Sequence, residues 1–119
     1  MEKLIKTKSP HEIKTICVDA LQDIKAQDII ALHVAEFTSI TDYMIIATGS
    51  STAHVKSIFD RVKKALKANQ IEILGVEGLD TAQWVLCDAA DVVIHIMLPE
   101  SRQYYSLEKI WSVEKCSYA

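Results

Sequence analysis

The feature that most restricts this chain is the run Tyr43-Met44-Ile45-Ile46-Ala47-Thr48, closed by Gly49 and followed by Ser50-Ser51-Thr52. A short apolar run rich in β-branched residues fits a strand buried on both faces. Such a strand needs packed layers on either side, which points to an α/β (α+β) architecture. After the glycine, Val55, Ile58, Phe59, Val62 and Leu66 share one helical face, while Lys56, Asp60, Lys63, Lys64 and Lys67 lie on the other. Ser50, Ser51 and Thr52 supply candidate N-caps, and Asn69 is a stop signal. Ile71–Val76 reads as the next strand. Tyr43–Val76 is then expected to form a β-α-β unit with parallel strands and a right-handed crossover.

The flanking sequence supplies the other elements. Ser9-Pro10-His11-Glu12 is a helix start with a cap, a proline at the first helical position and a capping-box glutamate. Ile13, Ile16, Cys17, Ala20, Leu21 and Ile24 continue it as an amphipathic helix ending near Lys25. Asp28–Val34 reads as a strand and Glu36–Asp42 as a loop. Gly75–Asp80 is a glycine-punctuated loop. Gln83–Asp88 and Val92–Leu98 read as a β-hairpin around Ala89-Ala90-Asp91. Pro99 stops the last strand, Glu100–Trp111 reads as helical, and the final residues as frayed. The order α-β-β-α-β-β-β-α predicts a five-stranded mixed sheet with packed helices. One domain over residues 1–119 is expected, with its core at about 9–111.

Composition narrows the function classes. The chain has 119 residues, half of them hydrophobic, and a net charge of -3. That charge argues against a protein that coats DNA or RNA backbones. Cys17, Cys87 and Cys116 are far apart with no CxxC pair, so neither a disulfide framework nor a thiolate zinc site is expected. Cys17 and Cys87 read as reduced core thiols. Met1–Lys8 lacks an apolar h-region, and no apolar run is long enough to span a membrane. A cytoplasmic setting is the expectation.

The search for chemistry finds little. Gly49-Ser50-Ser51 joins a buried strand to a helix N-terminus, a place that can bind phosphate through free backbone N–H groups. Nucleotidyl transfer there would need paired carboxylates for magnesium. The following helix offers only Asp60, among basic residues, and the motif is neither Walker A nor Rossmann. His11, His33, His54 and His95 form no HxH or HxxxH pair, and none is assigned as a catalytic base. His33 and His95 sit in apolar strands, as structural or interface histidines do. Asp88 and Asp91 flank the hairpin turn, where aspartates satisfy turn N–H groups. Trp84 suits either a core or an interface anchor. No metal or cofactor is implied. A binding module presenting Trp84–Leu98 is the favoured class, and a nucleotide-binding or nucleotidyl-transferring enzyme using the Gly49-Ser50 turn is the alternative.

The residues also resemble a known family. Ile40–Ser51, Gly75-Val76-Glu77-Gly78, Trp84-Val85-Leu86-Cys87-Asp88, Asp91–Met97 and Arg102–Trp111 together resemble the ribosome silencing factors of the RsfS/Iojap family. The resemblance runs from about Ile13 to Trp111. It implies a nucleotidyltransferase-like fold lacking the catalytic carboxylates. It also implies binding to the large ribosomal subunit through ribosomal protein L-fourteen, a steric block to small-subunit association, and repression of translation when nutrients are short. Many members form homodimers. The expected partner-binding residues are Glu77, Asp80, Trp84, Asp88, Asp91, His95, Met97 and Tyr104. Acidic side chains would complement a basic partner, and Trp84, His95 and Met97 would supply the apolar centre. Ala90 stands where the family usually has glycine. If that position needs positive φ, alanine carries about 1 kcal/mol or more of strain there.

Overall fold

A computed structural model describes residues 8–101 and the backbone of the strand Lys115–Ser117. Helix α1 spans Pro10–Asp23 and α2 spans Thr52–Ala68. The expected capping box is present: the Ser9 hydroxyl accepts from the Glu12 N–H at 3.1 Å, and the Glu12 carboxylate accepts from the Ser9 N–H at 2.8 Å. Ser51 caps α2 by accepting from the His54 N–H at 3.1 Å.

Both helices end in the same way. Beyond α1, the Ala26 and Lys25 N–H groups donate to the carbonyls of Leu21 and Gln22. Beyond α2, those of Ile71 and Gln70 donate to Leu66 and Lys67. These are Schellman closures, which need a left-handed residue just past the cap. Lys25 (φ 61) and Gln70 (φ 58) take that role, where glycine would be unstrained.

The strands are β1 (Gln27–His33), β2 (Tyr43–Thr48), β3 (Gly75–Glu77), β4 (Trp84–Asp88), β5 (Val92–Met97) and β6 (Lys115–Ser117). They form one mixed sheet in the order β3-β4-β5-β2-β1-β6. The mixed sheet with packed helices agrees with the α/β (α+β) expectation. β4 and β5 form the expected hairpin, with Trp84 opposite Met97 and Asp88 opposite Val93.

Three expectations change. The parallel partner of β2 is β5, from Tyr43 opposite Val92 to Thr48 opposite Met97, and not the segment after α2. That segment forms only the short β3, antiparallel to β4 at the sheet edge. The reason is burial: a central strand must be apolar on both faces. Val92–Met97 meets that demand almost throughout, whereas Gly75 and Glu77 are exposed. The chain end also differs. Lys115–Ser117 pairs antiparallel with β1, where fraying was expected. An edge strand leaves a row of unpaired N–H and C=O groups that another strand can satisfy. Of the expected helix over Glu100–Trp111, residues 99–101 include its start and are helical, and the rest lies outside the described residues.

The sheet has two unlike faces. On one, α1 and α2 bury Cys17, Leu21, Val55, Ile58 and Leu66 against Ile45, Val85, Cys87, Ile94 and Ile96. On the other, Leu32, Val34, Met44, Ile46 and Met97 form a smaller cluster, with Ile30 and Trp84 packed against it. Ile45 and Ile46 are both fully buried, so β2 is covered on both sides, as its sequence requires.

Candidate protein-interaction face

Strand alternation decides which side chains share the face opposite the helices. Glu77, Leu86, His95 and Ile46 lie in one cross-strand row. Asp88, Val93 and Met44 lie in the next, and Trp84, Met97 and Thr48 in a third. Trp84, Leu86, Asp88 and Val93 are half-buried, and Glu77 is exposed. Leu86 and Val93 belong to this surface and were missing from the sequence reading. The period-two spacing Trp84-Leu86-Asp88 carries that signal, but it becomes legible only once the buried face is known.

The expected site residues do not all reach the surface. Met97 is fully buried in the smaller cluster beneath the face, and His95 is only 8% exposed. The Trp84 indole N–H donates to Nδ1 of His95 at 2.9 Å. The rings are tilted at 47° with centroids 5.8 Å apart. Burial pushes the His95 imidazole down to about 4, so it is neutral near pH 7. Its proton then sits on Nε2, which leaves Nδ1 to accept.

At the hairpin end, Asp88 Oδ1 accepts from the Ala90 N–H at 2.9 Å. The Asp91 N–H donates to the Ala89 carbonyl at 2.9 Å, and Ala90 has φ 69. This is a γ-turn with a positive-φ central residue, the strained form. Ala90 thus does adopt positive φ, the condition under which an alanine is strained there. The Asp91 carbonyl accepts from the N–H groups of Asp42 and Tyr43, tying the turn to the start of β2. Asp80 is exposed, and its carboxylate accepts from the Thr81 N–H at 3.0 Å. Tyr104 lies outside the described residues.

The match to known proteins follows this geometry. A family model described as "Ribosomal silencing factor during starvation" matches residues 7–118. The chain belongs to this family. The ribosomal silencing factor RsfS of Chromobacterium violaceum is 44% identical over 109 residues, covering 92% of this chain and 89% of that one. A crystal structure of a protein from the same organism superposes with a TM-score of 0.87 at 43% identity, covering 94% of this chain and 93% of that one. A mouse protein named "Mitochondrial assembly of ribosomal large subunit protein 1" is 35% identical over 99 residues, covering 81% of this chain and 43% of that one. These names describe regulatory and assembly factors.

In this silencing-factor chain the Gly49-Ser50 turn is occupied by its own side chains. The Ser50 N–H, which an anion would need, donates to Nδ1 of His54 at 2.9 Å. His54 Nε2 donates in turn to the Ile24 carbonyl at 2.9 Å, so one imidazole ties the end of α1 to the start of α2. A Cβ at Gly49 would lie 2.7 Å from Val55 Cγ2 and 3.2 Å from Ile58 Cδ1, so this glycine serves close packing. His33 stacks on Tyr43 with centroids 4.8 Å apart. Among the described residues, no group of three or more His, Cys, Asp or Glu could hold a metal ion. Among the same residues, no helix is long and apolar enough to cross a membrane.

Proposed function

We propose that this silencing factor binds the large ribosomal subunit through ribosomal protein L-fourteen and blocks association with the small subunit by occupying the contact surface. Repression of translation under nutrient limitation follows from that block. The observation that carries the reading is the alternating set Trp84, Leu86 and Asp88 of β4 on the face opposite α1 and α2, an aromatic anchor beside an aliphatic side chain and a carboxylate. That is the make-up of a hot spot with a polar rim. Family membership and the large-subunit name of the mouse relative support the partner. Glu77, Asp80, Asp88 and Asp91 supply negative charge to complement the lysine- and arginine-rich surface expected of a protein that binds RNA. Trp84 supplies contact, His95 and Met97 act from beneath it, and Tyr104 is a further contact residue on the family resemblance alone. The protein works in the cytoplasm and is a homodimer when free.

The test is a subunit-association assay with purified subunits, paired with sedimentation through a sucrose gradient. The wild-type chain is expected to travel with large subunits and to lower the yield of joined ribosomes. The double variant Trp84→Ala with Asp88→Lys is expected to do neither. If that variant still blocks joining at wild-type concentrations, the surface is wrong. If the wild-type chain does not sediment with large subunits, the function is wrong.

A further inference from the structure

We infer that His95 is a positioning residue, which holds the Trp84 ring in its binding pose and takes up its indole N–H, so that the partner meets Trp84 as an apolar surface. This inference rests on the reading that the Trp84 face meets the large subunit.

The geometry comes from strand register. Trp84 lies directly opposite Met97, so His95 is its diagonal neighbour on the same face. Diagonal neighbours are within reach when one side chain is aromatic and long. The 2.9 Å bond uses the one hydrogen-bond donor that a tryptophan side chain has. His95 is itself held in place. Its Cα partners are Leu86 on β4 and Ile46 on β2, and it is almost wholly buried. Trp84 packs against the fully buried Met97 and its cluster from below. An imidazole on a central strand thus fixes an aromatic ring on the neighbouring strand.

Two consequences follow. Ordering a side chain on binding costs affinity, and a ring already held in place avoids that cost. In addition, a partner pocket that receives Trp84 needs no acceptor for the indole. Polar recognition falls to the carboxylates around it, Glu77 and Asp88. Removing the acceptor takes away this bond to the indole N–H and with it one of the contacts that hold the ring.

The experiment uses the full-length chain and purified large subunits. His95→Leu keeps size and removes the acceptor. His95→Asn places an oxygen near the position of Nδ1 and restores it. His95→Leu is expected to weaken large-subunit binding about 3- to 10-fold, the scale of freeing one large side chain. His95→Asn is expected to recover most of that loss. In a Trp84→Ala background, His95→Leu is expected to have no further effect, because His95 acts only through the ring. A nitrogen-to-nitrogen scalar coupling across the bond, read by NMR in the free wild-type protein, reports the pair without any substitution.

Absence of that coupling overturns the inference even if His95→Leu fails to fold. Equal binding by folded His95→Leu and wild type also overturns it, while leaving the functional reading intact. A further loss from His95→Leu in the Trp84→Ala background shows direct contact or general damage and overturns it as well. If the wild-type chain does not bind large subunits, the functional reading falls and this role falls with it.

Discussion

Asp88 accepts the amide N–H of Ala90 at 2.9 Å, and so holds a residue whose φ of 69 an L side chain rarely adopts. The carboxylate and the strained alanine belong to one turn at the end of the proposed binding face. Asp88 therefore shapes the hairpin as well as supplying charge. The turn and interface readings of this aspartate are compatible, because one N–H on Oδ1 uses only part of what a carboxylate can accept.

Glycine at position 90 should relieve the strain. The left-handed region costs an L residue about 1–2 kcal/mol. Glycine gives back about 0.4–1 kcal/mol through its freer unfolded chain. Ala90→Gly is expected to stabilise the fold by about 0.5–1 kcal/mol. In urea denaturation the midpoint should rise with an unchanged slope. A lower midpoint would show that the turn does not hold this conformation in solution.

Gly78 presents the opposite case. It has φ 86, and a Cβ there would run into the Trp84 carbonyl oxygen. Since the obstacle is backbone, no side-chain rotation relieves it. Gly78→Ala is expected to cost at least about 2 kcal/mol from strain and crowding together. It should also shift the Trp84 fluorescence maximum, because β4 must move. Thermal melting and emission spectra on one sample test both effects.

The acid limb of stability should carry a His95 component. Burial lowers this imidazole from 6.5 to about 4 in the folded chain. The unfolded chain therefore takes up a proton in a range where the folded chain does not. The stabilisation is complete above about pH 6.5, falls as pH drops towards 4, and levels off below that. Between pH 7 and pH 5 the loss assigned to His95 is about 2 kcal/mol. His95→Asn should flatten that part of the profile, as read by urea titrations at each pH. An unchanged profile would mean that the imidazole is not buried.

The core thiols should be inert while the chain is folded. Burial raises Cys17 to about 12, helped by the neighbouring Cys87, and raises Cys87 to about 11, helped by Asp88. Only thiolate reacts with iodoacetamide. Cys17 and Cys87 are expected to stay unmodified in buffer at pH 8 and to label fully in denaturant. Peptide mapping by mass spectrometry separates the three positions. Rapid native labelling of either core thiol would contradict the packing.

Much of the architecture was legible in local patterns. Ser9 and Glu12 signalled the α1 capping box, the apolar face of α2 predicted its buried residues, and the turn at Ala89-Ala90-Asp91 located the hairpin. These features depend on neighbours a few residues apart, which sequence spacing records. The candidate site was legible in part. Trp84 and Asp88 were found by residue type and turn position, and Leu86 and Val93 were missed because alternation does not say which face is covered.

The sequence by itself determined that this chain builds two amphipathic helices and a strand buried on both sides at Tyr43–Thr48. Only the tertiary structure decided what lies beside that strand. Local signals cannot rank Ile71–Val76 against Val92–Met97 as its partner, since both are short apolar runs. The choice falls to burial on both faces, and Gly75 and Glu77 fail that requirement while β5 meets it. With β5 at the centre, His95 comes under Trp84. The donor on one strand and the acceptor on the next, eleven positions apart in the chain, meet through register alone.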